Sequence, residues 1–139
     1  MSYFSGDVVW FNNPECPEKC RPHIILGKKD EKTYFVLSST KVETTKKVVA
    51  HIEKKKFGDS LDTLVILPAN TSQTIRETSA INCNKLTILN LVDFKSQDGN
   101  NFSAKNDDNI GKELLSEIKI GLNKSKLISI EIKDIINNF

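Results

Sequence analysis

The stretch from Gly6 to Leu26, GDVVWFNNPECPEKCRPHIIL, constrains the chain most, because it holds two apolar runs apart with a polar, proline-bearing loop that ends on an arginine. Gly6-Asp7 is a turn signal, Val8-Val9-Trp10-Phe11 carries strand-forming side chains, and Asn12-Asn13-Pro14 stops the run. The loop continues to Arg21-Pro22. Pro22 keeps Arg21 extended rather than helical, and Ile24-Ile25-Leu26 resumes the sheet. An arginine held where a loop rejoins a rigid strand is well placed to act on a ligand.

The chain has 139 residues, 38% hydrophobic and 27% charged, and is expected to form one domain over 1–139 that buries a core without staples. Its apolar runs fall far short of the ~20 residues a membrane helix needs. The N-terminus does not read as a signal peptide, so a cytoplasmic location and no membrane partner are expected. A net charge of +2 is too small to argue for nucleic acid by itself. The identity of the cations says more. Of 20 basic residues only Arg21 and Arg76 are arginine, and in so lysine-rich a chain an arginine reads as a place where a planar fork is wanted, with an accident of codon usage as the alternative. Cys16, Cys20 and Cys83 lack the fourth ligand and regular spacing of a closed metal site, and their odd number points to free thiols. No metal and no cofactor are expected.

Further along, Thr33 to Leu37 reads as a third strand that runs out into three hydroxyls, Ser38-Ser39-Thr40. Lys41 to Lys47 reads as a polar loop, Val48 to Ile52 as a fourth strand before Lys54-Lys55-Lys56 and a Phe57-Gly58 turn, and Thr63 to Leu67 as a fifth ended by Pro68. The polar linker Ala69 to Glu77 carries Arg76. Ser79 to Leu86 alternates as a strand with one face on the core, and residues 87 to 94 either extend it or form a strand of their own. Lys95 to Asp107 is a low-complexity surface loop. A helix follows, capped by Asp107 or Asp108, with an apolar stripe of Ile110, Leu114, Leu115, Ile118 and Leu122. Gly111 and Gly121 weaken it by roughly 1 kcal/mol each relative to Ala. The tail from 125 to 139 reads either way: Ile128, Ile130 and Ile132 alternate as in a strand, whereas Ile132, Ile135, Ile136 and Phe139 fit a helical face. Together these predict a mainly β, α+β fold: a small, strongly bent antiparallel barrel with a docked C-terminal helix.

The opening GDVVW, the polar loop and RPHIIL resemble the N-terminal hairpin of the MazF/PemK/Kid toxins, whose members begin with a Gly-Asp strand and re-enter the barrel through Arg-Pro followed by aliphatics. The resemblance is best over residues 6 to 67, continues through HIEKKKFG, LVIL and SAINCNKL, and fades after residue 95. It implies an SH3-like, MazF/CcdB-type barrel. The PECPEKC loop is shorter than in typical members, and a shorter loop covers less substrate. The long Asn-rich loop and the C-terminal tail look more like the longer relatives found with RNA antitoxins, the ToxN/AbiQ group.

This resemblance implies an endoribonuclease toxin of a toxin-antitoxin or phage-defence system. It would cut single-stranded RNA without a metal by 2′-OH attack, act as a homodimer, and be blocked by a protein or RNA antitoxin. Arg21 suits charge stabilisation at the phosphorane, since its fork matches two phosphate oxygens. Family members pair that arginine with a hydroxyl at the end of the third strand, where Ser39 and Thr40 are the closest matches and Ser38 is adjacent. A hydroxyl is a poor base, so its work is to bond the phosphate or pass a proton. His23, two residues after Arg21, and His51 are the imidazoles suited to proton transfer near neutral pH, with a surface or core-edge role the plainer reading of both. Asn12, Asn13 and Lys19 in the first loop, with Arg76 and Glu77 ahead of the sixth strand, fall where the resemblance puts RNA-contacting loops; solvated loop polarity is the bland alternative. Trp10 reads as a core or dimer contact rather than a stacking platform. Two other functions are open: a non-enzymatic toxin resembling CcdB that poisons gyrase, and a non-catalytic SH3-like module that binds RNA or protein. Arg21 with the hydroxyl cluster discriminates, because a gyrase binder has no use for that pair.

Overall fold

A computed structural model of the protein describes residues 2–12, 20–56, 58–92 and 102–139. These form seven strands and three helices: β1 (Val8–Asn12), β2 (Cys20–Asp30), β3 (Thr33–Thr40), α1 (Val42–Glu53), β4 (Leu64–Leu67), β5 (Ser79–Asn82), β6 (Thr87–Asn90), β7 (Phe102–Ser103), α2 (Lys112–Lys124) and α3 (Ile130–Asn137). All strand pairings are antiparallel, in the order β4-β5-β3-β2-β1-β7, with β6 also on β3. Mainly antiparallel α+β is therefore right. Among the described residues the path is open, and no pairing closes it into a barrel.

The strand β3 does double duty. Its first half, Thr33 to Val36, pairs with β6, and its last two residues, Ser39 and Thr40, pair with Ile81 and Ala80 of β5. Its other edge pairs with β2 from His23 onward. Pro22 stands just before that ladder, opposite Trp10 of β1, so its missing N–H takes no bond from β3.

Continuous apolar runs such as Val8 to Phe11 and Tyr34 to Leu37 suit strands covered on both faces. One buried layer contains Val8, Ile24, Leu26, Leu37, Ile81, Ile118, Leu122 and Ile136, with the helices α2 and α3 contributing to it. The other contains Val9, Phe11, Ile25, Tyr34, Val36 and Leu89, with Tyr3 and Phe139 packed against it.

Several sequence expectations change. The expected loop at Lys41 to Lys47 and the expected fourth strand at Val48 to Ile52 are together one helix, α1. Thr45 and Val49 are buried and Ile52 half-buried, an i, i+4, i+7 row that packs the helix on β4 and β5 while the lysines face water. Its β-branched residues resemble a strand locally, but packing of one helical face overrides that propensity. The strand expected over 79–86 ends at Asn82, and residues 87–90 form a separate strand. Part of the expected low-complexity loop is β7, paired with Trp10 and Phe11; residues 93–101 lie outside the described residues. The tail contains a helix, α3, whose start Ser129 caps by accepting the Ile132 N–H.

The C-terminal helix stripe is as expected, but its cap is not. The N-cap is Gly111 at φ 88°, and Asp108 turns away to another task described below. Gly121 is a close-approach site: a Cβ there would lie 2.7 Å from Cys83 Sγ. A buried polar chain ties the elements at this end. Glu53 accepts bonds from the N–H groups of Asp62 and Thr63, both 2.9 Å, and from the Thr63 hydroxyl. Asn84 donates to Thr63 Oγ1 at 2.7 Å, and Ser125 donates to Asn84 Oδ1 at 2.6 Å. Burial works to raise the Glu53 pKa, yet the bonds from Thr63 and Asp62 and the nearby Lys55 outweigh it and leave it below its ordinary value. The same burial pushes the Cys83 thiol up to about 12, with the Glu53 charge adding to it.

Candidate functional site

A groove of about 880 Å³ opens beside the far ends of β1, β2 and β3. The strand register explains its position. Val8, Ile24 and Leu37 form a row across one buried layer, and the next residues on that side along each strand are Trp10, Pro22 and Ser39, all of which line the groove. The apolar layer thus ends in a polar cleft.

Arg21, Ser39, Thr40, Arg76 and Glu77 all line the groove, Ser39 from the Trp10–Pro22 side of the sheet and Arg21, opposite Phe11, from the His23 side. Arg21 is half-buried on β2 opposite Phe11, while Arg76 and Glu77 are exposed on the segment between β4 and β5. Sequence reasoning missed other lining residues: Lys41 and Thr44 at the start of α1, Ser79 at the start of β5, Lys105, and Trp10. The helical pattern of Thr45, Val49 and Ile52 was the signal for the α1 pair; its first turn also places the positive end of the helix near the groove. Among the described residues the lining therefore has four cations, Arg21, Lys41, Arg76 and Lys105, and one carboxylate, Glu77. Such a lining favours an anion with several oxygens.

The hydroxyls form two directed pairs. Ser39 Oγ donates to Ser79 Oγ at 2.5 Å, which leaves Ser79 its own hydrogen for another acceptor. Thr45 Oγ1 gives its hydrogen to the Lys41 carbonyl at 2.7 Å, so Thr40 is the donor in its 2.5 Å bond to Thr45. Thr40 then meets a ligand with its lone pairs, whereas Ser79 meets it with a hydrogen. Of the two pairs, Ser39–Ser79 is the one that can donate to a phosphate oxygen without first breaking.

The segment carrying Arg76 and Glu77 is anchored by Asp108, the residue expected as a helix cap. Its buried carboxylate accepts the Gln73 N–H at 2.7 Å, the Thr74 N–H at 3.2 Å and the Thr74 hydroxyl. Ile75 is buried in the core directly after these bonds. Arg76 and Glu77 thus project from a backbone pinned on both a charge and an apolar anchor.

The other candidates are elsewhere. His23 is fully buried, its ring 3.9 Å from that of Phe11, with Nδ1 2.8 Å from the Arg21 carbonyl. Burial lowers its pKa to about 4, against the opposing pull of the Arg21 carbonyl, so Nδ1–H of a neutral ring donates that bond. His51 is exposed on α1 rather than at a strand exit, and Ser38 is half-buried opposite His23; neither lines the groove. Asn12 is half-buried at the end of β1 and is not a lining residue either. Lys19 and Asn13 lie outside the described residues. Lys55 of the basic run bonds Ser60 and Asp62. Cys20 and Cys83 carry free thiols, and among the described residues no group of three or more His, Cys, Asp or Glu side chains is placed to hold a metal ion.

Compared with models of known protein families and with curated proteins, the chain gives no match.

Proposed function

We propose that the groove binds RNA and cleaves it as an endoribonuclease of the MazF/PemK type, in the setting of a toxin-antitoxin or phage-defence system. The observation that carries this reading is that Arg21 of β2 and Ser39 and Thr40 of β3 line one groove together with Arg76 and Glu77 from the segment ahead of β5. The SH3-like barrel of that family, a homodimer, and a protein or RNA antitoxin belong to the same proposal.

In this scheme the RNA 2′-OH attacks its neighbouring phosphorus, a P–O bond to the 5′-oxygen breaks, and a 2′,3′-cyclic phosphate remains. The Arg21 fork bears on the charge that grows on the non-bridging oxygens, where a fixed cation is worth most. Ser79, held by Ser39, adds a hydrogen bond to the same phosphate. Glu77, the carboxylate among the described lining residues, accepts the 2′-OH proton; the leaving 5′-oxygen takes a proton from water, and the hydroxide so formed takes back the one on Glu77. The proposal does not use His23, whose ring belongs to the core.

The test is incubation of the purified protein with end-labelled single-stranded RNA in EDTA, beside Arg21→Ala. Cleavage by the native protein, reduced on the order of 10²-fold or more by the substitution, is the expected result. Binding without cleavage would instead favour a non-catalytic RNA-binding module, and neither binding nor cleavage would remove the reading.

A further inference from the structure

One wall of the groove, the run from Gln73 to Ser79, hangs largely on a single side chain. Every residue of that run lines the cleft, yet among the described residues none of 73–78 bonds backbone to backbone with another segment, and no helix or strand holds them. The N–H groups of Gln73 and Thr74 and the Thr74 hydroxyl go instead to the Asp108 carboxylate, which belongs to a residue only 3% exposed. Asp108 does not itself line the groove.

The main chain at Asp108 is fixed to the sheet. Its carbonyl accepts the Val8 N–H at 2.8 Å, Asn109 bridges to Asp7, and the Ile110 N–H donates to the Gly6 carbonyl at 3.0 Å. Val8 starts β1, and the same strand carries Phe11 opposite Arg21. The backbone of residue 108 is therefore part of the frame that places Arg21, and its side chain reaches across to the run that carries Arg76 and Glu77. A second thread runs beside the first. Gln73 Nε2 donates at 2.9 Å to the carbonyl of Asn106, next to Lys105, and a positive φ of 57° at Asp107 turns the chain between the two contacts.

We propose that Asp108 is a positioning residue for the cleavage step: its carboxylate sets where Glu77 stands relative to Arg21, and so the rate at which the 2′-OH proton is taken. This rests on the reading of the groove as a ribonuclease site with Glu77 as the base. The carboxylate is required because both of its oxygens accept, one from Gln73 and the other from Thr74. An amide in its place turns one of them into a donor that faces another donor, and the run is released on that side. A base displaced by about 1 Å loses on the order of 10²-fold in rate, although the cations on the other elements still hold the phosphates.

The test is a double-mutant cycle. Native protein, Asp108→Asn, Glu77→Gln and the double variant are compared in single-turnover cleavage of end-labelled RNA, with binding of fluorescein-labelled 2′-O-methyl RNA read by anisotropy and folding read by thermal unfolding. Asp108→Asn should cut on the order of 10²-fold more slowly than native, bind the uncleavable strand within a few-fold of native, and add less than about 3-fold to the loss in Glu77→Gln. A residue that only supports the fold slows both backgrounds by the same factor. That result, or an Asp108→Asn rate within a few-fold of native, overturns the proposal and leaves the ribonuclease reading in place. Thr74→Val removes one donor from the clasp without touching Asp108, and carries the test should Asp108→Asn not fold. It should cut roughly 3- to 10-fold more slowly than native but no more slowly than Glu77→Gln when combined with it, and equal slowing in both backgrounds again overturns the proposal. RNA left uncut by the native protein overturns the reading and the proposal together.

Discussion

The imidazole of His23 is locked between the Phe11 ring and the Arg21 carbonyl, and this has a consequence for stability. Its pKa is about 4 when folded against an ordinary 6.5, so the unfolded chain binds the proton first. Stability from this group is complete above pH 6.5 and falls as pH drops from 6.5 towards 4, by about 3 kcal/mol in all. Denaturant unfolding at a series of pH values should show that slope, and His23→Phe, which has no titrating group, should flatten it across the same window. Glu53, with its lowered pKa, contributes only at more acid pH, so the difference between the two proteins isolates His23. The two side chains also show what one-dimensional reading misses. His23 lies two residues from Arg21 and the alternation of a strand gives them one side, but only coordinates reveal that Phe11 covers the first and a groove begins at the second. Trp10 sits in an unbroken apolar run, where no alternation marks which residue is left uncovered. Arg21, Ser39 and Thr40 were legible because chain punctuation, a Pro or the end of a run, put them at strand ends, whereas Arg76 and Glu77 were named as site residues only from the family resemblance.

At the scale of elements, the strands with continuous β-branched and aromatic runs were legible and α1 was not, since its Thr and Val content favours a strand until the row of Thr45, Val49 and Ile52 is set against β4 and β5. Helix α2 was legible from its stripe, but the role of its glycines was not. Gly111 lies at the cap with positive φ, where it costs the helix interior nothing. Gly121 faces Cys83, and two effects compete there. Alanine gains roughly 1 kcal/mol of helix propensity. A Cβ 2.7 Å from a buried sulfur forces repacking that costs about 1–3 kcal/mol. Gly121→Ala should therefore destabilise the protein in denaturant unfolding, and Cys83→Ala added to it should recover most of the loss. A stabilised Gly121→Ala would show that the α2 contact is looser than described.

For the described residues as a whole, two buried layers flank an antiparallel sheet, and the polar groove lies at one end of its strands. Among the described residues no helix is long and apolar enough to cross a membrane. The elements that build the groove come from the whole length of the chain: β1, the start of β2, the end of β3, the first turn of α1, the Asp108-pinned segment ahead of β5, and Lys105 after β7. A net charge of +2 conceals this, because the cations matter by position and not by number. Such long-range assembly is the part a sequence does not display; Arg21 and the hydroxyls Ser39 and Thr40 stand at strand ends that the sequence marks, but their pairing was an expectation from the family resemblance alone. The most direct measurement is a crystal structure of the protein with a short single-stranded RNA carrying a 2′-O-methyl group at every ribose. The account predicts one phosphate within hydrogen-bonding distance of both the Arg21 guanidinium and the Ser79 hydroxyl; RNA seated on another surface, with that pair facing water, would contradict it.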